Sequence, residues 1–161
     1  MWLDSYNREN QGIIDRDVYD NISKTQYLAL KQSGSITKAT PSNWVLVINN
    51  YKDIKTLHAK SCIVALAKSE DRLYQKYQRY APVLKYISLS LLTEREVEDK
   101  RIIQQGYWKN AFCNAQLPVD KVTMIRTPIG DPDFQEDEYL LLKKILYGLC
   151  HSPHHWYKTI K

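Results

Sequence analysis

Residues 43–66 carry the clearest secondary-structure signal in the chain. They read NWVLVINN at positions 43–50, the polar interruption YKDIKT at 51–56, and LHAKSCIVAL at 57–66. β-Branched and aromatic residues favour strands, and a short polar segment between two such runs is typical of a β-hairpin. The sequence therefore predicts a hairpin here, with a connection somewhat longer than a two-residue turn.

Weaker signals flank the hairpin. The residues before Asp17 are largely polar, and from Val18 onward an approximate helical stripe runs to Ser33, with Asp17 as the expected N-cap and Gly34 at the C-terminal end. Residues 35–42 are expected to be a linker. Downstream the pattern predicts a helix that Pro82 opens, a strand at 101–105 and a short helix or turn at 109–114. A second strand is predicted at 122–126 and a terminal helix from Pro153. The apolar run at 139–149 fits either a strand or a helix.

The net charge of the chain comes from one window. The 161 residues contain 23 Lys and Arg against 18 Asp and Glu, a net charge of +5, with 43% apolar and 25% charged residues, which is ordinary globular usage. Residues 51–86 hold eight of the cations, only three acids and five tyrosines. Cations interleaved with aromatic rings suit phosphate contact and base stacking, so Lys60, Lys76 and Arg79 are candidate nucleic-acid contacts. A merely solubilising surface is the alternative, and the sequence leaves it open.

Several classes of protein are excluded by what the sequence lacks. The longest apolar runs, at 44–48 and 63–67, are too short to cross a bilayer, so no membrane contact is expected. The N-terminus lacks signal-peptide features, which predicts an intracellular protein, cytoplasmic or nuclear. Cys62, Cys113 and Cys150 are widely spaced and predict free thiols. The common glycine-rich nucleotide loops are absent.

Two polar clusters invite a metal-binding interpretation. Cys150, His151, His154 and His155 crowd one turn without a second ligand group at a fixed spacing, which favours surface histidines over a zinc site. The acidic residues between Asp131 and Glu138 are broken by proline, which favours a solvated loop over a chelating one.

Four segments, in order over about three quarters of the chain, resemble the motifs of one known family. They are WVLV at 44–47 followed by HAKSCIVA at 58–65, YAPV at 80–83, QGYWKNAF at 105–112, and LYGLCHSP at 146–153 with WY at 156–157. The first is similar to the fingers hairpin of a copia-type retrotransposon reverse transcriptase, and the second to the Phe-x-Pro-Val element of that family. The third is similar to its first catalytic motif, Gln-x-Asp-Val-Lys-x-Ala-Phe, and the fourth matches Leu-Tyr-Gly-Leu-Lys-Gln-x-Pro-x-x-Trp-Tyr.

This resemblance implies an α+β fold, part of a right-hand polymerase with a fingers hairpin and the beginning of the palm sheet. It divides the chain into a helical extension and linker at 1–43 and a truncated reverse transcriptase domain at 44–161. The implied partners are an RNA or DNA template-primer and, in an intact element, the remainder of a retrotransposon polyprotein.

The resemblance also predicts that this chain is inactive, a pseudoenzyme. The family holds two metal ions, normally Mg²⁺, with three carboxylates. The first belongs at Tyr107, and a neutral phenol cannot replace a carboxylate as a hard-cation ligand. The other two belong to a Tyr-x-Asp-Asp hairpin expected beyond Trp156, which the chain does not contain. We therefore expect no catalytic residue, metal ligand or cofactor of its own.

Some binding positions of the family are kept and others are changed. Of the three fingers positions that carry cations in the family, now His58, Lys60 and Cys62, only Lys60 keeps its charge. Phe112, at the position of the ring that screens the sugar 2′-position, is retained, as are Gly148 and Pro153 on the template-primer side. Each main change needs one base substitution, which fits a decaying element copy. The alternative function is a non-catalytic nucleic-acid-binding module that uses the 51–86 patch.

Overall fold

The computed structural model describes residues 1–49, 57–67, 75–104, 106, 108–118, 121–132 and 137–161. Its elements are, in chain order, α1 (Trp2–Ile14), β1 (Tyr19–Ser23), α2 (Lys24–Gln32), β2 (Ser42–Asn49), β3 (His58–Ala65), α3 (Lys76–Arg79), α4 (Tyr86–Glu98), a 3₁₀ turn (Phe112–Asn114), β4 (Thr123–Arg126), β5 (Glu138–Leu142) and α5 (Ser152–Ile160). Helices and strands are mixed, in agreement with the predicted α+β class.

The predicted hairpin is confirmed. β2 and β3 pair antiparallel along their whole lengths, with Trp44 opposite Ile63 and Asn49 opposite His58. Alternate residues of β3 are buried, as expected for a strand with one face on the core. The polar connection at 51–56 lies outside the described residues.

A second antiparallel sheet has the order β1-β5-β4. β5 is central, with Leu140 opposite Asn21 on one side and Ile125 on the other. The ambiguous apolar run at 139–149 therefore begins as a strand, since Leu140 and Leu142 are needed in the core beneath this sheet. The strand predicted at 122–126 is confirmed as β4.

The N-terminal prediction was partly wrong. The helix expected from Asp17 begins only at Lys24, and residues 19–23 form strand β1 instead. Ser23 caps α2 through a reciprocal pair of hydrogen bonds with Gln26, which fixes where the helix begins, while pairing with β5 holds the preceding residues extended. The predicted end is correct, because Gly34 adopts a φ of +75° just after α2.

α1 had no counterpart in the predictions. Its buried side is formed by Ser5, Tyr6, Glu9, Gly12 and Ile13, which have helical spacing, but only two of them are large apolar residues. Hydrophobic periodicity therefore could not reveal the helix. α1 packs against β3, and β1 pairs with β5, so residues from 1–43 contact both sheets of the chain. The boundary predicted at 43/44 stays a prediction.

Four downstream predictions can be compared with the structure. α4 begins at Tyr86, four residues after Pro82, and residues 101–104 form no strand, so both predictions needed correction. The α4 region stands largely in solvent, and the chain after it has no neighbouring strand among the described residues to pair with. The short turn at 109–114 is confirmed as the 3₁₀ turn, and the terminal helix as α5, with Pro153 in its first turn.

The two sheets share one core. Ile63 and Ala65 of β3 pack with Ile125 of β4 and with the apolar residues after β5. The backbone N–H of Ala65 donates to the carbonyl oxygen of Tyr147 at 2.8 Å, which joins the hairpin to the segment that leads into α5. Among the described residues, no helix is both long enough and apolar enough to cross a bilayer.

Candidate nucleic-acid interface

A cleft of about 620 Å³ lies between α3 and α5. We call it the basic-aromatic cleft, after the residues that line it: Gln75, Lys76, Tyr77, Tyr80, Pro82, His154, Tyr157, Lys158 and Lys161. It is open to solvent, and none of these described lining residues is acidic. The cleft therefore offers positive charge and aromatic surface together.

The two walls of the cleft are joined by a hydrogen bond. Nδ1 of His154 lies 3.0 Å from the carbonyl oxygen of Tyr80, to which it donates when that nitrogen carries the proton. α3 is a single turn whose beginning is fixed by Gln75 and Gln78, since the backbone N–H of Gln75 donates to the Gln78 side chain at 2.9 Å. The short helix is thus held next to α5, although it is itself exposed.

The position of α5 follows from its buried face. The Ser152 hydroxyl donates to the carbonyl oxygen of Leu146 at 2.6 Å, and Trp156 packs on the core with its ring edge-on to Trp108. This leaves His154, Tyr157, Lys158 and Lys161 on the face towards α3, because their i, i+3, i+4 and i+7 spacing places them along one side of a helix.

The lining groups suit a nucleic-acid strand chemically. Lys76, Lys158 and Lys161 are exposed ammonium groups that can neutralise phosphates. Tyr77 and Tyr80 are mostly exposed rings, and an exposed ring in a cationic groove can stack on a base.

The predicted binding residues do not all converge. Lys76 lines the basic-aromatic cleft, and Arg79 lies at the end of α3 but is not among the lining residues. Lys60 projects from β3 into a different cleft, of about 390 Å³, together with Arg8, Glu9 and Lys109. Lys60 and Lys76 therefore belong to two separate surfaces. The patch residues at 51–56 and 68–74 lie outside the described residues.

Comparison with protein families gives one match. A family model described as reverse transcriptase (RNA-dependent DNA polymerase) matches residues 26–161, well over half of the chain. The chain belongs to the reverse transcriptase family. No curated protein and no solved structure matches it. The matched range begins within α2, so α1 and β1 precede it.

The other predicted binding residues, Phe112, Gly148 and Pro153, are all within the described residues. Phe112 is half-buried, with its ring edge-on to Tyr147 at 5.3 Å between centroids. Gly148 has a φ of +86°, and a Cβ built there would lie 2.1 Å from the carbonyl oxygen of Ala65. Pro153 is exposed in the first turn of α5. Whether these residues also contact nucleic acid stays a prediction.

The described residues do not supply the carboxylate donor set that the metal chemistry of the family needs. Tyr107, which the sequence resemblance aligns with the first carboxylate, offers a phenol, and its structure lies outside the described residues. Among the residues that the structure describes, no three His, Cys, Asp or Glu side chains are grouped to hold a metal ion. We therefore derive no chemical step through a metal.

Burial favours the neutral form of His151, one member of the histidine cluster, and of the Cys113 thiol. His151 is fully buried, and desolvation, followed by repulsion from His155, Lys121 and His154, lowers its pKa to about 4, so it is neutral in the folded protein. Cys62, Cys113 and Cys150 form no disulfide bond with one another, so the predicted thiols are confirmed. Burial raises the pKa of Cys113 to about 12, which leaves an unreactive thiol.

Sequence reasoning missed the α5 half of the cleft. Tyr157, Lys158 and Lys161 lie outside the basic window at 51–86, and the sequence pattern predicts no more than a surface position for His154. The signal that could have found them is their shared helical face, but only folding places that face beside α3.

Proposed function

We propose that this chain is a copia-type reverse transcriptase polypeptide that does not catalyse nucleotide addition by itself. The observation that carries the proposal is the residue at position 107. A polymerase of this family needs an anionic ligand there to hold the metal that activates the primer 3′-oxygen, and a tyrosine phenol is neutral at pH 7.

A primer-extension assay tests the proposal. The full chain is incubated with a primed RNA template, the four deoxynucleoside triphosphates and Mg²⁺ or Mn²⁺, beside an active member of the family. We expect no extension product from this chain. Robust incorporation with either metal would show that the proposal is wrong.

A reciprocal substitution tests the stated reason. In an active family member, replacing the motif aspartate with tyrosine should lower the extension rate by about 10³-fold or more, because the metal loses a charged ligand. An asparagine replacement at the same position is the matched control for loss of charge without the bulky ring. Retention of activity in the tyrosine variant would contradict the assignment.

The basic-aromatic cleft favours a second function, the binding of single-stranded nucleic acid without catalysis. Three lysines and three tyrosines line an open groove with no acidic residue among its described lining. Binding based on phosphate contacts weakens steeply with salt, and each lost contact makes the negative slope of log K against log salt shallower by about 0.7 for a single strand.

The second function is tested by titrating a labelled single-stranded oligonucleotide of about 12 nucleotides at several salt concentrations. Lys76→Ala and Lys158→Ala should each weaken binding and reduce the salt slope. Lys31→Ala, which removes an exposed lysine of α2 outside the cleft, should change neither. Salt-independent binding, or an equal loss of affinity in all three variants, would contradict the assignment of the cleft as the binding site.

A further inference from the structure

Strand β2 has one edge that no strand among the described residues covers. Its other edge pairs with β3, and the two form a two-stranded sheet. At the end of this ladder the backbone N–H of Leu66 donates to the carbonyl oxygen of Pro41 at 2.7 Å, which makes these two residues a hydrogen-bonded pair. Such pairs alternate along antiparallel strands, so the backbone N–H and C=O groups of Trp44, Leu46 and Ile48 are directed away from β3.

The free edge of β2 is apolar and uncharged. Val45, Leu46, Val47 and Ile48 are each exposed over 40% or more of their surface. β2 contains neither a charged residue nor a proline, which are two of the devices that keep an edge strand from pairing with another chain. A two-stranded hairpin is also only marginally stable in water, and additional strands stabilise it. The edge is therefore suited to accept a further strand.

The apolar surface of β2 continues onto two neighbouring segments. The chain is bridged to β4 at Thr40, before β2 begins, and the loop after β4 lies beside β2. Leu46 lines a cleft of about 510 Å³ together with residues of α1 and of this loop, among them Leu3 and Ile129. Both of these side chains are largely exposed. A strand added to β2 would therefore bury apolar side chains as well as pair backbone groups.

The sequence of β2 is complementary to a second copy of itself. An antiparallel pair of β2 strands with a two-fold axis at Leu46 brings apolar residues opposite apolar residues and amide opposite amide. The facing pairs are Trp44 with Ile48, Val45 with Val47, and Asn43 with Asn49. In this register the free backbone groups of residues 44, 46 and 48 face one another, so they form the hydrogen-bonded pairs of the new ladder.

Pairing through β2 ends at two chains. The two-fold axis uses the free β2 edge of both copies, which leaves β3 as the outer strand on each side. The outer edge of β3 is covered at Ala65, whose backbone N–H donates to the carbonyl oxygen of Tyr147. The contact is therefore closed, unlike the open-ended pairing of an aggregating edge strand.

We propose that β2 is the surface through which two copies of this chain form a symmetric dimer, with one continuous sheet in the order β3-β2-β2-β3. The strand of the second copy supplies hydrogen-bond partners for the free edge and covers the apolar side chains at 45–48. The proposal is independent of catalysis and of nucleic-acid binding, because the basic-aromatic cleft is formed by α3 and α5.

The first test is sedimentation equilibrium of the full chain, without nucleic acid, over about a hundredfold range of concentration. The mass should rise from that of one chain to that of two, and no further. Leu46→Lys places two ammonium groups across the two-fold axis and should weaken the dimer about tenfold or more. Leu92→Lys is the matched control, because Leu92 is 54% exposed and Leu46 55%, but Leu92 lies in α4. It should leave dimerisation unchanged, and far-UV circular dichroism verifies that both variants are folded.

The second test is disulfide cross-linking, which reports the register. Both variants carry Cys62→Ser and Cys150→Ser, which removes the two partly exposed native thiols. Leu46→Cys should give a cross-linked dimer with oxidised glutathione, because the Cα atoms of a hydrogen-bonded pair are about 5.5 Å apart, within disulfide range. Val47→Cys should be linked far more slowly, since residue 47 faces residue 45 and its own counterpart lies diagonally, about 7–8 Å away.

The mass of a single chain at every concentration would overturn the proposal. So would growth to species larger than two chains, which would show that the edge pairs without closure. Equal weakening of the dimer by Leu46→Lys and Leu92→Lys would show that β2 is not the contact. Cross-linking at position 47 that is as fast as at position 46, or faster, would contradict the two-fold axis at Leu46.

Discussion

The indole nitrogen of Trp44 donates a hydrogen bond of 2.7 Å to Oδ2 of Asp131, 87 residues further along the chain. The other carboxylate oxygen accepts from the Tyr6 hydroxyl, also at 2.7 Å, and the rings of Tyr6 and Trp44 are 4.8 Å apart. One carboxylate thus joins α1, β2 and the loop after β4. An acid that the sequence placed in a solvated loop is therefore part of the tertiary structure.

Replacing Asp131 with alanine should lower the free energy of unfolding by about 2 kcal/mol, since two partly buried donors lose their acceptor. Asp137→Ala is the matched control, because it removes an exposed ion pair with Lys24 and should cost less than about 1 kcal/mol. Urea unfolding followed by tryptophan fluorescence measures both. Equal losses in the two variants would contradict the structural role of Asp131.

Gly148→Ala should destabilise the protein by about 3 kcal/mol or more, because it combines a left-handed backbone with a collision against the Ala65 backbone. Gly34→Ala isolates the backbone contribution, since φ is +75° there but a Cβ would meet no atom within 4 Å. That variant should lose only about 1 kcal/mol. Comparable unfolding midpoints for the two variants would argue against the close approach of Gly148 to β3.

His151 should make stability depend on pH. Its folded pKa of about 4 is lower than that of an unfolded imidazole, so the unfolded chain binds more protons between the two values. The contribution of neutral His151 to the free energy of unfolding is complete above about pH 6.5 and is lost as the pH falls towards about 4. This loss amounts to roughly 2–3 kcal/mol.

The variant that isolates this effect is His151→Gln, which also restores the residue expected from the family motif. Glu9 has a raised pKa and shifts stability in the opposite direction with pH, so the informative quantity is the difference between the parent and His151→Gln at each pH. Urea unfolding midpoints of the two proteins, measured across this pH range, give that difference. A constant difference would show that His151 does not titrate as described.

Stacking and charge in the basic-aromatic cleft should be separable. Tyr77→Ala and Tyr157→Ala should each weaken oligonucleotide binding by about 1–3 kcal/mol and leave the salt slope unchanged, because a ring carries no charge. Tyr86→Ala, at a highly exposed tyrosine outside the cleft, should have little effect. A change of slope in the tyrosine variants would mean that they disturb the lysines rather than lose stacking.

The amino-acid sequence by itself determined the features that depend on local pattern. The strand character of β3 and the proline in the first turn of α5 are properties of a few consecutive residues, and they were predicted correctly. Four ordered motifs were sufficient to indicate the reverse transcriptase family. The end of α2 at Gly34 is likewise a local choice, because a positive φ suits glycine.

Tertiary structure alone decided the rest. β1 is a strand because β5 supplies its partner, and α1 is placed by contacts of Ser5, Glu9 and Gly12 that no hydrophobic period reveals. The basic-aromatic cleft exists because α3 and α5 meet across more than 70 intervening residues. Local propensity is a property of neighbours along the chain, whereas these features depend on the burial and pairing of segments that only folding brings together.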